Sequence, residues 1–234
     1  MSIRVGIVLS GCGVFDGAEV HESVLTLLHV VKAGADVTFL APDVAQAHVI
    51  NHLVGQPVTG EQRNVRVEAA RIARGDVQDI ALAKADDFDA VIFPGGFGAA
   101  KNLGNLAFAK SPDEMTVEAG TRKLVEAMYA SGKPLGFICI APASVAAVAL
   151  KGKGLKLTVG SNDDDAAGAV RAMGHTHVAA KVDEIVIDNA HNIVSTPAYM
   201  LAKDVAEADS GIAKLVAEIM VRAKSGTRAQ AANA

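Results

Sequence analysis

Hydrophobic positions in this chain follow two alternating patterns. Short, largely apolar runs recur at residues 3–9, 37–41, 90–93 and 135–138. Runs of this kind suit strands covered on both faces of a parallel sheet. Longer segments between them place apolar residues three or four apart. In residues 19–33, Val20, Val24, Leu27, Leu28 and Val31 share one face, and Gly34 ends the pattern. Asn64 is placed to cap a helix running to about Ala73. Residues 116–130, closed by Gly132, 163–173, opened by aspartates, and 204–223 read as further helices. Residues 44–63 carry no clear period, and 76–84 return toward the sheet. Residues 156–159 read as a short strand, while 184–188 and 193–196 read as a β-hairpin. Strand, helix, strand at these lengths is a right-handed βαβ unit. The pattern predicts a single α/β domain over residues 1–224, a doubly wound, mostly parallel sheet with helices on both faces and a small hairpin. A polar tail, 225–234, is expected to fray.

The junction at residues 133–144 organises the chemistry. The apolar run ends at Cys139, and Ala141, Pro142, Ala143 and Ser144 open a helix at once. Pro142 suits the first helical turn, where its missing N–H has no partner to lose. A side chain on such a strand-to-helix turn is pushed out at the sheet edge. The helix N-terminus behind it is expected to lower the thiol pKa. Cys139 therefore reads either as a nucleophile or as one more small buried apolar residue. Ligands of doubly wound sheets bind outside the carboxyl ends of the strands. Two other loops leave from such ends. One is Gly11-Cys12-Gly13 through Gly17, and the other is Pro94-Gly95-Gly96. The second can aim backbone N–H groups at a developing negative oxygen. Glu22, near the start of the first helix, either complements the helix dipole or leans toward Cys139 as a proton carrier with a raised pKa. Of Glu19 and Glu22, one is expected to be solvated and ordinary.

Composition narrows the classes. Net charge is −4, from 22 basic and 26 acidic residues, with no run of Lys or Arg. Nucleic acid and acidic membrane surfaces are therefore disfavoured as partners. No stretch reaches the roughly 20 apolar residues needed to span a bilayer. Two cysteines make neither a disulfide framework nor a Cys-rich metal site, and a reducing, cytoplasmic setting is expected. Residues 1–13 read as a strand rather than a signal peptide. His48 and His52, and His175 and His177, lack a completing ligand at metal spacing, so no metal is expected. The spacing GxGxxxG at Gly11 departs from a dinucleotide fingerprint, with Asp43 its only support, and no cofactor is expected. Cys12 is expected to pack in its loop, near enough to Cys139 for a redox pair.

Four segments together resemble a known family. These are SGCGVFDGAEVHE, PGGFGAAKNL, GKPLGFICIAPA and VSTPAYMLA. They are similar to the ElbB-type (enhancing-lycopene-biosynthesis) glyoxalase branch of the DJ/PfpI superfamily, whose domains are class I glutamine-amidotransferase-like. The resemblance implies a flavodoxin-like sandwich, Cys139 as nucleophile, Glu22 as the acid, and Gly96 in the oxyanion site. It also implies a homodimer without cofactor that converts glyoxal to glycolate, with a link to isoprenoid metabolism. The chain departs from the wider superfamily in histidines. Ile140 stands where many relatives carry one after the nucleophile, no histidine lies near Gly160, and Thr196-Pro197-Ala198 stands where glutaminases carry His-Pro-Glu. Glutaminase and protease activities are thereby disfavoured. The expected reaction is addition of Cys139 to a small dicarbonyl, with N–H groups of Gly96 and Ile140 on the oxyanion and Glu22 moving the proton. The alternatives are a redox sensor at Cys139 and a non-catalytic scaffold.

Overall fold

A computed structural model describes residues 2–232, with side chains described to residue 226. Eleven strands are present among these residues: β1 (Arg4–Val8), β2 (Asp36–Ala41), β3 (Ile50–Asn51), β4 (Gln56–Pro57), β5 (Gln78–Asp79), β6 (Ala90–Phe93), β7 (Leu135–Ile138), β8 (Lys156–Leu157), β9 (Thr176–His177), β10 (Val186–Asp188) and β11 (Ile193–Thr196). The helices are α1 (Val20–Lys32), α2 (Val65–Ile72), α3 (Phe97–Lys101), α4 (Ala119–Ala130), α5 (Ala147–Ala149), α6 (Asp165–Ala172) and α7 (Val205–Ala232). A wide π-type turn, Pro142–Ala146, runs into α5. Seven strands form the main sheet in the order β10-β11-β7-β6-β1-β2-β5. Its neighbours are parallel except for antiparallel β10 and β11. The predicted hairpin thus forms the edge of the main sheet. A second, separate hairpin, β3–β4, occupies the stretch that lacked a readable period. Helix α7 runs through residues 225–232, which the apolar pattern assigned to a tail, and the last two residues lie outside the described chain.

Two apolar layers enclose the sheet. Ile7, Ile92, Leu215 and Ile219 pack on the face covered by α1, α2 and α7. Phe93, Phe137, Leu124 and Met128 pack on the other, where the two phenyl rings stack at 4.9 Å. The expected inward face of α1 is wrong. Val24, Leu28 and Val31 are 47%, 41% and 55% exposed, and the buried side carries Glu22, Ser23, Thr26 and Val30. The reversal is tolerated because the inward hydroxyls are satisfied locally. Ser23 Oγ donates to Glu19 O at 2.6 Å and Thr26 Oγ1 to Glu22 O at 2.7 Å.

The order β7-β6-β1 sets the site. These three adjacent parallel strands all point their carboxyl ends the same way. The loops that follow them, around Cys139, Gly95–Gly96 and Gly11–Gly17, therefore converge.

Candidate active site

Cys139 follows β7 directly and holds a left-handed backbone, φ 61°. For a residue with a Cβ this conformation costs about 1–2 kcal/mol, and neighbours must impose it. Its N–H donates to Thr196 O at 2.9 Å, which locks the turn to the end of β11. The side chain is 7% exposed, at the base of a cavity of about 350 Å3. The polar groups that act on the sulfur are the backbone N–H groups of Gly96 and Ile140 and the Glu22 carboxyl.

Glu22 is fully buried. Gly95 N–H donates to its Oε2 at 2.8 Å and Tyr199 N–H to its Oε1 at 3.2 Å. Burial, and then the nearby Glu19 charge, push its pKa from 4.5 up to about 7, against the pull of those two donors and of Cys139. Burial and then the Glu22 charge push the Cys139 thiol well above its ordinary value, although the Gly96 and Ile140 donors oppose this. The expected thiol depression by the helix N-terminus is thus outweighed. Near neutral pH Glu22 is therefore close to half ionised, beside a thiol that keeps its proton.

Gly95 is the spacer between the two groups. A Cβ there would lie 2.5 Å from Cys139 Cβ, 2.8 Å from Glu22 Oε2 and 3.0 Å from Sγ. Gly96 needs its own lack of a side chain for two reasons. Its φ is 91°, and a Cβ would collide with the Glu19 nitrogen and Gly17 oxygen.

Glu19 was expected to trade places with Glu22 as the solvated acid, yet both are buried. Glu19 caps α1, its carboxylate accepting from Glu22 N–H at 2.7 Å, and it also borders the cavity. Tyr199 was missed from sequence, because 177 residues separate it from Glu22. It borders the cavity too, and its hydroxyl bonds His21 Nδ1 at 2.8 Å. His21 is thus tied to the rim.

The glycine-rich loop contributes less directly than expected. Val14 reaches the cavity, whereas Gly11, Cys12 and Gly13 do not border it. Gly11 and Gly13 hold φ of 110° and 128°, and the space above Gly13 is filled by His52. Cys12 and Cys139 are both free thiols. Burial raises the Cys12 pKa, and its charged neighbours, Arg71, Glu68 and Asp16, are not those of Cys139. Among the described residues, no three His, Cys, Asp or Glu side chains stand together as a metal site. His175 and His177 instead accept from the N–H groups of Leu155 and Val159, both at 3.1 Å. No helix among the described residues is long and apolar enough to cross a membrane.

Chemically, the site joins a sulfur, a carboxyl that titrates near neutrality and two backbone donors. That set can add to an electrophilic carbon and move a proton across it.

No family model matches the chain. It is 41% identical over 225 residues to the human glutamine amidotransferase-like class 1 domain-containing protein 3, covering 93% of this chain and 82% of that one. The structure of an isoprenoid biosynthesis protein with an amidotransferase-like domain from Ehrlichia chaffeensis superposes with a TM-score of 0.85. It is 34% identical, and the match covers 94% of this chain and 99% of that one. Drosophila melanogaster DJ-1beta shares the fold, at a TM-score of 0.57 and 18% identity over 98% of both chains. The cytoplasmic expectation does not stand, since the human relative and its rat and zebrafish counterparts are all named mitochondrial. Cysteine usage separates reducing from oxidising surroundings and says nothing about which reducing compartment is meant. With this identity over nearly its whole length, the chain belongs to the glutamine amidotransferase-like class 1 family, the family of the ES1 proteins, and carries the DJ-1/PfpI type of fold.

Proposed function

We propose that this protein converts glyoxal to glycolate, and methylglyoxal to lactate, without a cofactor. The observation that supports this reading is the buried Glu22 carboxyl set close to the Cys139 sulfur, with only the Gly95 backbone packed against both, beside a cavity of about 350 Å3. Glu22 as carboxylate takes the thiol proton while sulfur adds to one aldehyde carbon. The proton passes to the new alkoxide and gives a hemithioacetal. Glu22, again a carboxylate, removes the hydrogen on that carbon and returns it to the second carbon through an enediol. The product is a thioester of Cys139. Water cleaves it, releasing glycolate and restoring the thiol. The Gly96 and Ile140 donors next to sulfur stabilise the oxygen that becomes negative. The ElbB-type segments support the same substrate class.

Glyoxal loss is followed with purified wild type, Cys139→Ala and Glu22→Gln. Both variants are expected to lose at least about a hundredfold in kcat/KM. Full turnover by Cys139→Ala ends the mechanism. The dimer implied by the resemblance is tested by sedimentation of the full chain.

One feature favours a second reading, a redox-sensing Cys139. Its sulfur already has two backbone donors, which can hold oxygens added on oxidation. Mild peroxide followed by mass spectrometry then gives oxidation at Cys139 with Cys12 spared, and equal oxidation of both removes it.

A further inference from the structure

A second hollow lies next to the one above Cys139. Phe97 and Ile140 form one wall of the Cys139 cavity, and the same two residues also line the second hollow, of about 630 Å3. Leu106 and Met115 give that groove an apolar wall ahead of α4, α6 supplies the opposite wall, and Lys110, Asp164 and Asp165 make its outer edge polar. Gly168, in the middle of α6, lines the groove. Glycine is among the least favourable residues inside a helix. A Cβ at Gly168 would meet nothing within 4 Å, and its backbone is not left-handed. Neither packing nor conformation requires a glycine here, and its effect is to leave the groove open.

The reactive cavity is itself larger than glyoxal. At roughly 30 Å3 for each water-sized group, a cavity of about 350 Å3 holds on the order of ten non-hydrogen atoms. Glyoxal has only four.

We propose that the site takes 2-oxoaldehydes bearing an apolar chain. The dicarbonyl end meets Cys139, and the chain passes Phe97 and Ile140 into the groove beside α6. This rests on the reading of Cys139 as a carbonyl-attacking thiol, and it extends the substrate class beyond glyoxal.

The test uses the full-length protein and two thiol reagents, N-ethylmaleimide and N-octylmaleimide. Rates of alkylation at Cys139 and Cys12 are read by mass spectrometry in the same sample. Burying even two of the six additional methylene groups gives about tenfold. The octyl-to-ethyl rate ratio at Cys139 is therefore expected to exceed that at Cys12 by at least about tenfold. In Gly168→Leu, where leucine projects into the groove from α6 and narrows it, the ratio at Cys139 is expected to fall to within about twofold of that at Cys12. Leucine is the better helix residue, so an undiminished melting temperature shows that the variant is folded. Equal ratios at the two cysteines, a ratio that survives Gly168→Leu, or no labelling of Cys139 by either reagent overturns the proposal.

A second arm compares kcat/KM for 2-oxooctanal and methylglyoxal, with about tenfold in favour of the longer compound expected. Turnover with equal constants overturns the apolar substrate class and leaves the glyoxalase reading standing. Octyl-selective labelling without consumption of either aldehyde overturns the glyoxalase reading, and the substrate class with it, while the groove remains.

Discussion

The buried carboxyl of Glu22 offers a quantitative test that needs no substrate. In the unfolded chain it ionises near its ordinary value of 4.5, and in the folded protein near 7. Between those values the folded state keeps a proton that the unfolded chain has released. Stability must then fall as pH rises through this window. At 1.36 kcal/mol for each unit, the gap amounts to about 3 kcal/mol. The loss begins near pH 4.5 and is complete above about pH 7. Glu22→Gln removes the group from titration at nearly constant volume. The amide has one oxygen instead of two, so either Gly95 N–H or Tyr199 N–H loses its acceptor. That costs about 1–3 kcal/mol where the wild-type group is neutral. Urea unfolding of both proteins at pH 5, 6, 7 and 7.5 gives the difference in stability. Groups that titrate alike in both proteins cancel in that difference. Wild type is expected to be the more stable at pH 5, with its advantage shrinking by about 2.4 kcal/mol by pH 7.5. Parallel curves would refute the raised pKa.

Three further outcomes follow from particular contacts. Gly95→Ala forces a methyl group between Cys139 and Glu22, which destabilises by about 1–3 kcal/mol. A melting temperature lower by about 3–10 °C and a loss of at least about a hundredfold in glyoxal turnover are expected. Normal melting and turnover would show that the packing is looser than described. Tyr199→Phe removes the hydroxyl bond to His21 but keeps the backbone donor to Glu22. Its turnover is expected to stay within about threefold of wild type, as for an exposed hydrogen bond, and a hundredfold loss would make the hydroxyl a reacting group. Burial alone would raise Asp188, yet donors from Lys156 and His191 hold its pKa below the ordinary 3.8. Asp188→Asn is expected to lose about 2–3 kcal/mol at pH 7. The wild-type advantage fades as pH drops below 3.8, and denaturant unfolding at pH 3 and pH 7 checks it.

The main sheet was legible because parallel strands covered on both faces leave unbroken apolar runs, as residues 90–93 and 135–138 do. The position of Cys139 on a strand-to-helix turn was legible for a related reason, since the apolar run ends there and small residues open a helix at once, whereas its burial was only one of two readings the spacing left open. The α1 face was misread because its register follows tertiary demand. The chain puts Glu22 inward where β1, β6 and β7 end, and this leaves Val24, Leu28 and Val31 outside. Gly95 read as part of a loop aiming N–H groups at a substrate oxygen, whereas its N–H is held by the Glu22 carboxyl, a partner 73 residues away that local spacing does not reveal. Tyr199 left no signal at all, because what it supplies to Glu22 is a backbone N–H, which every residue other than proline has. The thiol pKa was misjudged because desolvation depends on cavity depth, and cavity depth leaves no mark on local spacing.

The two donors to Glu22 come from residues 95 and 199, while Glu22 itself sits in the first helix. Three segments far apart in the chain must be assembled before the acid stands beside the sulfur. If the end of the sheet beyond β7 comes loose, Tyr199 N–H and the Thr196 clasp on Cys139 leave together. Water then floods the carboxyl, which becomes an ordinary acid beside an ordinary thiol. A partly opened molecule therefore loses the paired acid and sulfur, and it presents a thiol that ionises more readily than the buried one.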